Sequence, residues 1–256
     1  MTREKLLANL GEHMRELYVT GKYYVSVPPI PDKNFEEGYW HTIIDPDGKK
    51  RDRLAEKDQC LADIDYVFEY LKTVKHGSVL DVGCGLGWFL SALPKGWKKY
   101  GLEVSKVAAE YAAKFGDIFH GTLLTSRYKE NMFDVIFMHH VIEHLPKPED
   151  DFKVIKRILK PGGLLILGTP DFDSGCARLF GKNYRLLHDG THVSLFSNDS
   201  LHRFLRDNGF SIVRVEYPFW KTRFFTKENL MRLFNIRVMS PPFYGNFMTF
   251  FCTNEK

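Results

Sequence analysis

The sequence predicts an α/β protein built on a doubly wound, mostly parallel sheet. Three observations carry the prediction. From residue 78 to residue 169, short apolar runs alternate with helix-like segments. Strands that are apolar without alternation belong in a parallel sheet covered by helices on both faces. The first run ends in Gly83-Cys84-Gly85-Leu86-Gly87, a glycine loop where a strand gives way to a helix. The second run ends in an acid, Glu103, twenty residues after Gly83. An acid there reaches both ribose hydroxyls of a nucleoside lying across the strand tips.

The elements follow in order. Residues 3–18 read as a charged helix. Residues 21–53 are rich in Pro, Gly, Tyr and Trp and read as an ordered extension, because disordered linkers carry few aromatics. Leu61, Ile64, Val67, Phe68 and Leu71 mark one face of an amphipathic helix over 54–74. Strands are expected at 78–82, 99–104, 117–123, 133–138 and 163–169, the last entered through Pro161-Gly162-Gly163. Helices are expected at 88–93, 106–115, 141–145 and 150–159, and right-handed crossovers wind them onto both faces. Beyond residue 170 a loop-rich stretch leads to a helix at 198–208 and strands at 211–217 and 246–253. Residues 1–54 are expected to form an extension. Residues 55–256 would form the main domain, with insertions at about 172–197 and 217–245.

Composition excludes several classes. Apolar residues make up 44% and charged residues 27% of 256, which suits a globular chain. A net charge of +4 is too mild for a nucleic-acid binder. Cys60, Cys84, Cys176 and Cys252 form no CxxC pair, which argues against a zinc ribbon or disulfide scaffold and for a reducing cytoplasm. No stretch resembles a signal peptide or a membrane span. The unusual feature is the aromatic share of 14%, with 21 Phe. Thirteen of these Phe lie from Phe172 onward, which points to a ring-lined, partly basic pocket in the last third, one that would double as a contact with a second copy.

A tight turn with incidental glycines does not account for loop, strand acid and second acid together. Asp81 lies inside the first strand, where a bare carboxylate is costly. A dinucleotide fingerprint would need a small residue at position 88, which is Trp. The segments SVLDVGCGLGWF, YGLEVS, FDVIFMHHVIEHLPKP and LKPGGLLILGTP together resemble the class I S-adenosylmethionine-dependent methyltransferases. The nearest branch is the small-molecule one that includes ubiquinone-biosynthesis-type O-methyltransferases. The resemblance spans about residues 55–215. It implies a Rossmann-like seven-stranded sheet with the last strand antiparallel, the strands near 211–217 and 246–253 forming a reversed hairpin at the edge. It also implies S-adenosylmethionine as cofactor and S-adenosylhomocysteine as product. Gly83, Gly85 and Gly87 would lie under the methionine part and Asp81 would hold its amino end through the loop. Glu103 would take the ribose and Val104 would lie beside adenine. His139 joins the cofactor set. Many relatives carry an Asp after the third strand; here the run is His120-Gly121-Thr122-Leu123-Leu124, so Thr122, Leu123 or backbone groups would serve instead.

Methyl transfer needs alignment, exclusion of water and, for a hydroxyl acceptor, a base. His140 and His144 are the candidate bases, because the loop after the fourth strand opens on the ligand crevice. His140, Glu143 and His144 are spaced i, i+3, i+4 and would share a helical face. Some relatives hold a divalent metal with a similar set, to which His188 or His192 would add a ligand. A capping or packing role for Glu143 and His144 is the plainer reading, and no metal is assigned. Tyr184, Arg185, His188 and His192 are the candidate acceptor contacts. From Arg178 to Arg237 eleven Lys/Arg oppose five Asp/Glu, which reads as an anionic acceptor or as a solvated basic face. Tyr39, Trp40 and His41 read as a lid over the cofactor or as packing of the extension. The expected function is methyl transfer to an O or N atom of a small molecule, without nucleic acid. The alternatives are an RNA-end methyltransferase and a non-catalytic S-adenosylmethionine-binding regulator.

Overall fold

The computed structural model describes residues 2–29, 40, 42–44 and 50–256. The central sheet has seven strands: β1 (Ser78–Val82), β2 (Lys98–Glu103), β3 (Asp117–His120), β4 (Phe133–His139), β5 (Leu159–Pro170), β6 (Phe210–Glu216) and β7 (Phe247–Asn254). Their spatial order is β6-β7-β5-β4-β1-β2-β3. Strands β1 to β5 pair in parallel. β7 runs antiparallel to both β5 and β6. The expected sheet with a reversed last strand is therefore present. The hairpin differs in one respect: β7 is inserted between β5 and β6, so that of these two hairpin strands β6 alone lies at the edge. Phe250, Phe251 and Cys252 of β7 are fully buried and need cover on both faces, whereas Val213 and Arg214 of β6 are exposed.

Period-two alternation distributes the side chains to two cores. On one face, Leu80, Val82, Ile136, Met138, Leu165 and Leu167 meet two helices. These are α7 (Pro148–Ile158) and α9 (Asn198–Asp207), which the short α8 (Gly175–Phe180) separates in the chain. On the other face, Val79, Val135, Phe137 and Ile166 meet Val67, Leu71, Phe89 and Leu90. Those come from α4 (Asp65–Leu71) and α5 (Trp88–Ala92). β1 and β4 are neighbours although two strands intervene in the chain. The strand order switches there, which opens a crevice at their C-terminal ends.

Three expected helices come out differently. The first breaks at Asn9 into α1 (Arg3–Ala8) and α2 (Leu10–Thr20). The span 54–74 breaks at Ile64 into α3 (Lys57–Asp63) and α4, preceded by a 3₁₀ turn. Residues 141–145 hold only a 3₁₀ turn, Ile142–His144. The amino-terminal helices are not a detached arm. Leu6, Leu10, Met14 and Leu17 pack on Phe172, Phe180, Tyr184 and Leu195, and Val25–Ser26 pairs with Ser194–Leu195. Among the described residues no helix is long and apolar enough to cross a membrane.

Phe204 is fully buried against Phe152, Phe196 and Tyr23, with ring centroids at 4.7, 5.5 and 5.4 Å. Phe204→Ala leaves a cavity between α9 and the sheet and should cost about 3–5 kcal/mol in chemical denaturation. A loss below about 1 kcal/mol would contradict this packing.

Candidate functional site

The loop between β1 and α5 places three glycines at positive φ: Gly83 at 70°, Gly85 at 51° and Gly87 at 73°. Side chains there would be strained and would also collide. A Cβ on Gly83 would lie 2.5 Å from Val141 Cγ2, and one on Gly87 would lie 2.9 Å from Ala112 Cβ. The loop is pinned from below, since Gly83 and Cys84 both donate N–H to the Leu102 carbonyl, at 2.7 and 3.0 Å. Glu103 fastens it from the side. Its Oε2 accepts from Gly85 N–H and its Oε1 from Ser105 N–H, each at 2.8 Å. Ser105 in turn caps α6 (Lys106–Ala112). Trp40 covers the junction, donating Nε1–H to Ser105 Oγ at 2.9 Å, with its ring 3.0 Å from where a Gly85 Cβ would stand. Tyr39 and His41, the other members of the expected lid, lie outside the described residues.

Two carboxyls are buried at these strand tips. Asp81 and Glu103 are each only 4% exposed. Burial, helped by the charge of Glu103, pushes Asp81 well above the usual carboxylate range. Burial also raises Glu103, although its backbone donors pull the other way. Neither forms an ion pair with Lys or Arg among the described residues. Acids held in low dielectric without a cation beside them favour a ligand that brings positive charge. The open backbone of the glycine cradle and this acid pair fit S-adenosylmethionine, which carries an ammonium and a sulfonium. Around the position expected for adenine, Val104 is exposed, Leu123 is buried, and Thr122 is exposed, its side chain engaged with Thr125 in capping a 3₁₀ turn. His120 Nε2 lies 3.0 Å from the Val104 carbonyl and ties β3 to the end of β2.

The tip of β4 faces the same crevice. His139 is stacked on Phe137 and packed against Gly168, and burial pulls its pKa well down. His140 takes up a left-handed backbone, φ 56°, rare for a residue with a side chain. That conformation brings its Nδ1 to 3.0 Å from Glu143 Oε1. Glu143 is completely buried. Its other oxygen accepts from Thr169 Oγ1 at 2.9 Å. Burial works against its ionisation, but the hydrogen bond with His140 and the neighbouring His140, His144 and His192 prevail, bringing it down to about 2. His144 is turned differently from His140, because its Nδ1 donates to the Thr191 carbonyl at 3.1 Å. Ligand atoms of Glu143, His144 and His192 lie within 4.8 Å of one another. The single helical face expected for His140, Glu143 and His144 does not form; a sharp turn delivers the cluster instead.

The expected acceptor contacts scatter. Tyr184 is fully buried and its hydroxyl donates to the Asp171 carbonyl at 2.9 Å, which makes it a core ring. His188 is exposed beside the Lys182 carbonyl. Arg185 is half-buried near Ser240. His192 joins the Glu143 cluster. The cavity that follows β5, about 440 Å³, is walled by other residues, among them Asp171, Ser174, Cys176, Tyr217, Phe243 and Tyr244. It is neither basic nor a sink for most of the Phe surplus. Of the thirteen late Phe only Phe243 lines it, while Phe172, Phe196, Phe204, Phe210, Phe250 and Phe251 are core. Five of the eleven cations counted from Arg178 to Arg237 are held in ion pairs. Arg178, Arg203, Arg206, Arg214 and Arg223 each pair with an acid. A second hollow, between α4 and α5, opens beside His76 and Trp97 at the other end of the sheet, away from the glycine loop.

Sequence reasoning missed Ser105, Thr169 and Asp171. Only Ser105 carried a local signal, as a helix cap just after the strand acid. Asp171 gives a pH test. Burial raises its carboxyl to about 6 from an ordinary 3.8. Stability from the neutral form is therefore present below the unfolded value and lost as pH rises through about 6. Asp171→Asn stays neutral, so it should gain on the wild type between about pH 4 and pH 7 by on the order of 2 kcal/mol in thermal melts. An unchanged difference across that window would contradict a buried neutral acid.

A methyltransferase-domain family model matches residues 51–215. Curated relatives include the sterol 4-C-methyltransferase strm-1 of Caenorhabditis elegans, 24% identical over 70% of this chain and 54% of that protein. Another is a ubiquinone biosynthesis O-methyltransferase of Roseobacter denitrificans, 29% identical over 51% of this chain and 58% of that protein. The chain spans only about half the length of the curated relatives it matches. Among solved structures, an S-adenosylmethionine-dependent methyltransferase of Thermotoga maritima, described as a possible histamine N-methyltransferase, superposes with TM-score 0.55 at 25% identity. The match covers 78% of this chain and 92% of that one. The geranyl diphosphate C-methyltransferase of Streptomyces coelicolor, solved with Mg²⁺ and S-adenosylhomocysteine, shares the fold with TM-score 0.54 at 14% identity, over 76% of this chain and 77% of that one. With the glycine cradle, the acid at the tip of β2 and the reversed β7 already in place, the family match settles the chain as a member of the class I S-adenosylmethionine-dependent methyltransferases.

Proposed function

We propose that the chain moves a methyl group from S-adenosylmethionine to an oxygen or nitrogen of a small, mainly apolar acceptor seated in the cavity after β5. The observation that carries this reading is the His140–Glu143 pair at the cofactor crevice. The bound cofactor supplies an electrophilic methyl on a positively charged sulfur, so the leaving group is neutral. The chain then has to align the acceptor, keep water out and take up one proton.

His140 is suited to take the proton. Glu143 accepts from its Nδ1–H, which fixes the tautomer and leaves the lone pair on Nε2. As His140 becomes an imidazolium, the buried Glu143 carboxylate offsets the charge. Phe247 lies edge-on against His140 at 5.2 Å, two residues from Gly245 of the cavity wall. Glu103 and the glycine cradle would hold the cofactor, with Asp81 beneath them. The insertions at about 172–197 and 217–245 would cover the acceptor.

A second reading is favoured by one observation, the Glu143-His144-His192 cluster. Both imidazoles donate Nδ1–H to backbone carbonyls, of Thr191 and Leu186. That leaves Nε2 as the ligating atom in each and is the outer-shell arrangement usual for metal-binding histidines. A divalent cation there would be held by these three residues and would serve to orient an oxygen of the acceptor.

His140→Ala should lower kcat by about 10²–10⁴-fold while leaving the KM for S-adenosylmethionine within a fewfold of the wild type. Near-normal turnover would remove His140 from the chemistry. Glu103→Ala loses the link between the glycine loop and α6 as well as the ribose contact. It should weaken S-adenosylhomocysteine by about a hundredfold in calorimetry. Full activity after chelator dialysis, with no metal by elemental analysis, would set the second reading aside.

A further inference from the structure

The segment 217–245, which joins β6 to β7, exposes large apolar side chains to an extent that a water-facing loop does not need. Phe234 is 85% exposed, Met231 61% and Trp220 59%, and Phe225, Ile236 and Tyr244 are also exposed. They are held out by a hydrogen-bonded platform. Asn183 Nδ2 donates to the Ile236 carbonyl at 3.0 Å, and Ser240 N–H to the Asn183 carbonyl at 2.8 Å. Asn229 Nδ2 donates to the Phe224 carbonyl at 2.8 Å. Trp220 meets Phe225 and Tyr244 at 5.2 and 6.0 Å, so these rings form one patch. Contiguous exposed apolar surface of this kind marks an interaction site.

The charges say what covers it. Lys221, Lys227 and Arg237 are exposed within the same segment, and Glu228 is its sole acid. A second copy meeting this face through a two-fold axis would gather six of these cations and only two acids, the Glu228 pair, into one interface. A surface of Trp, Phe, Met and Ile interleaved with Lys and Arg matches instead a lipid interface, where rings enter the headgroup region and cations meet anionic headgroups. Tyr244 belongs both to the patch and to the wall of the cavity after β5, whose exposed Leu179 and half-buried Leu233 continue the apolar rim.

We propose that residues 217–245 dock the chain peripherally on a bilayer carrying anionic lipid headgroups, with the cavity opening onto the docked face. The acceptor then reaches the cavity from the bilayer rather than from water; this last clause rests on the acceptor reading above, and the docking itself does not.

The test uses the full chain and vesicle co-sedimentation. Vesicles of phosphatidylcholine alone are compared with vesicles that also contain phosphatidylserine. The wild type should bind the anionic vesicles at least about tenfold more tightly. The double variant Phe234→Ser/Ile236→Ser should weaken binding to both vesicle types by about tenfold. Lys221→Glu/Arg237→Glu should abolish the preference for phosphatidylserine. All four positions are exposed, and unchanged melting curves confirm that each variant is folded. Equal, weak binding of wild type and variants overturns the proposal. So does a concentration-dependent dimer in sedimentation velocity that Phe234→Ser/Ile236→Ser dissolves, because the face would then be a subunit contact. S-adenosylhomocysteine calorimetry on the same proteins reads the cofactor site separately, so failure to dock and failure of the methyltransferase reading give different results.

Discussion

The Glu103 carboxylate accepts hydrogen bonds from the N–H of Gly85 on one side and of Ser105 on the other, and the rest of the site is arranged around those two hydrogen bonds. It joins the glycine loop to the start of α6, so that the cradle and the nucleoside wall are one rigid piece. An acid this deeply buried is expensive unless something offsets it. Two backbone donors offset part of the cost, and its pKa remains raised. Asp81 shares the same pocket without an ion-pair partner among the described residues. The remaining cost is electrostatic, and in the proposed function the cationic cofactor would relieve it.

The same economy operates at the tip of β4. Glu143 is buried completely, yet it is ionised because His140 and Thr169 satisfy one oxygen each. The left-handed backbone of His140 is the local cost of that arrangement. Inserting β7 between β5 and β6 then has two effects. It pairs with the edge of β5 that β4 leaves open, and it carries Phe247 to the side of His140. The segment that leads into β7 builds part of the cavity rim and the exposed patch, so the cavity and the sheet closure depend on the same connection.

Much of this was legible in the sequence, for identifiable reasons. β1 was placed to the residue because its apolar run ends abruptly in glycine. Glu103 was legible because an acid at a strand end has few structural excuses. β5 begins at Leu159, earlier than expected, because Pro161-Gly162-Gly163 reads locally as a turn, whereas it is an irregularity inside the strand: Leu159 lies opposite Phe133 and pairing with β4 resumes at Leu164, opposite Val135. Tyr184 was misplaced because a tyrosine in a loop-rich stretch gives no sign of being buried by helices from residues 3–20. His140, Glu143 and His144 were found as a group, but a positive φ at a histidine has no sequence signal, so their geometry was not. The late Phe residues gave the right count and the wrong address, since composition does not say which face of a strand a ring takes.

A crystal structure of the chain with S-adenosylhomocysteine would test the central claim most directly. The account predicts the ribose hydroxyls within hydrogen-bonding distance of Glu103, and the sulfur turned toward His140 and the cavity after β5. A ribose held elsewhere, with Glu103 still bonded only to Gly85 and Ser105, or a sulfur turned away from His140, would contradict it.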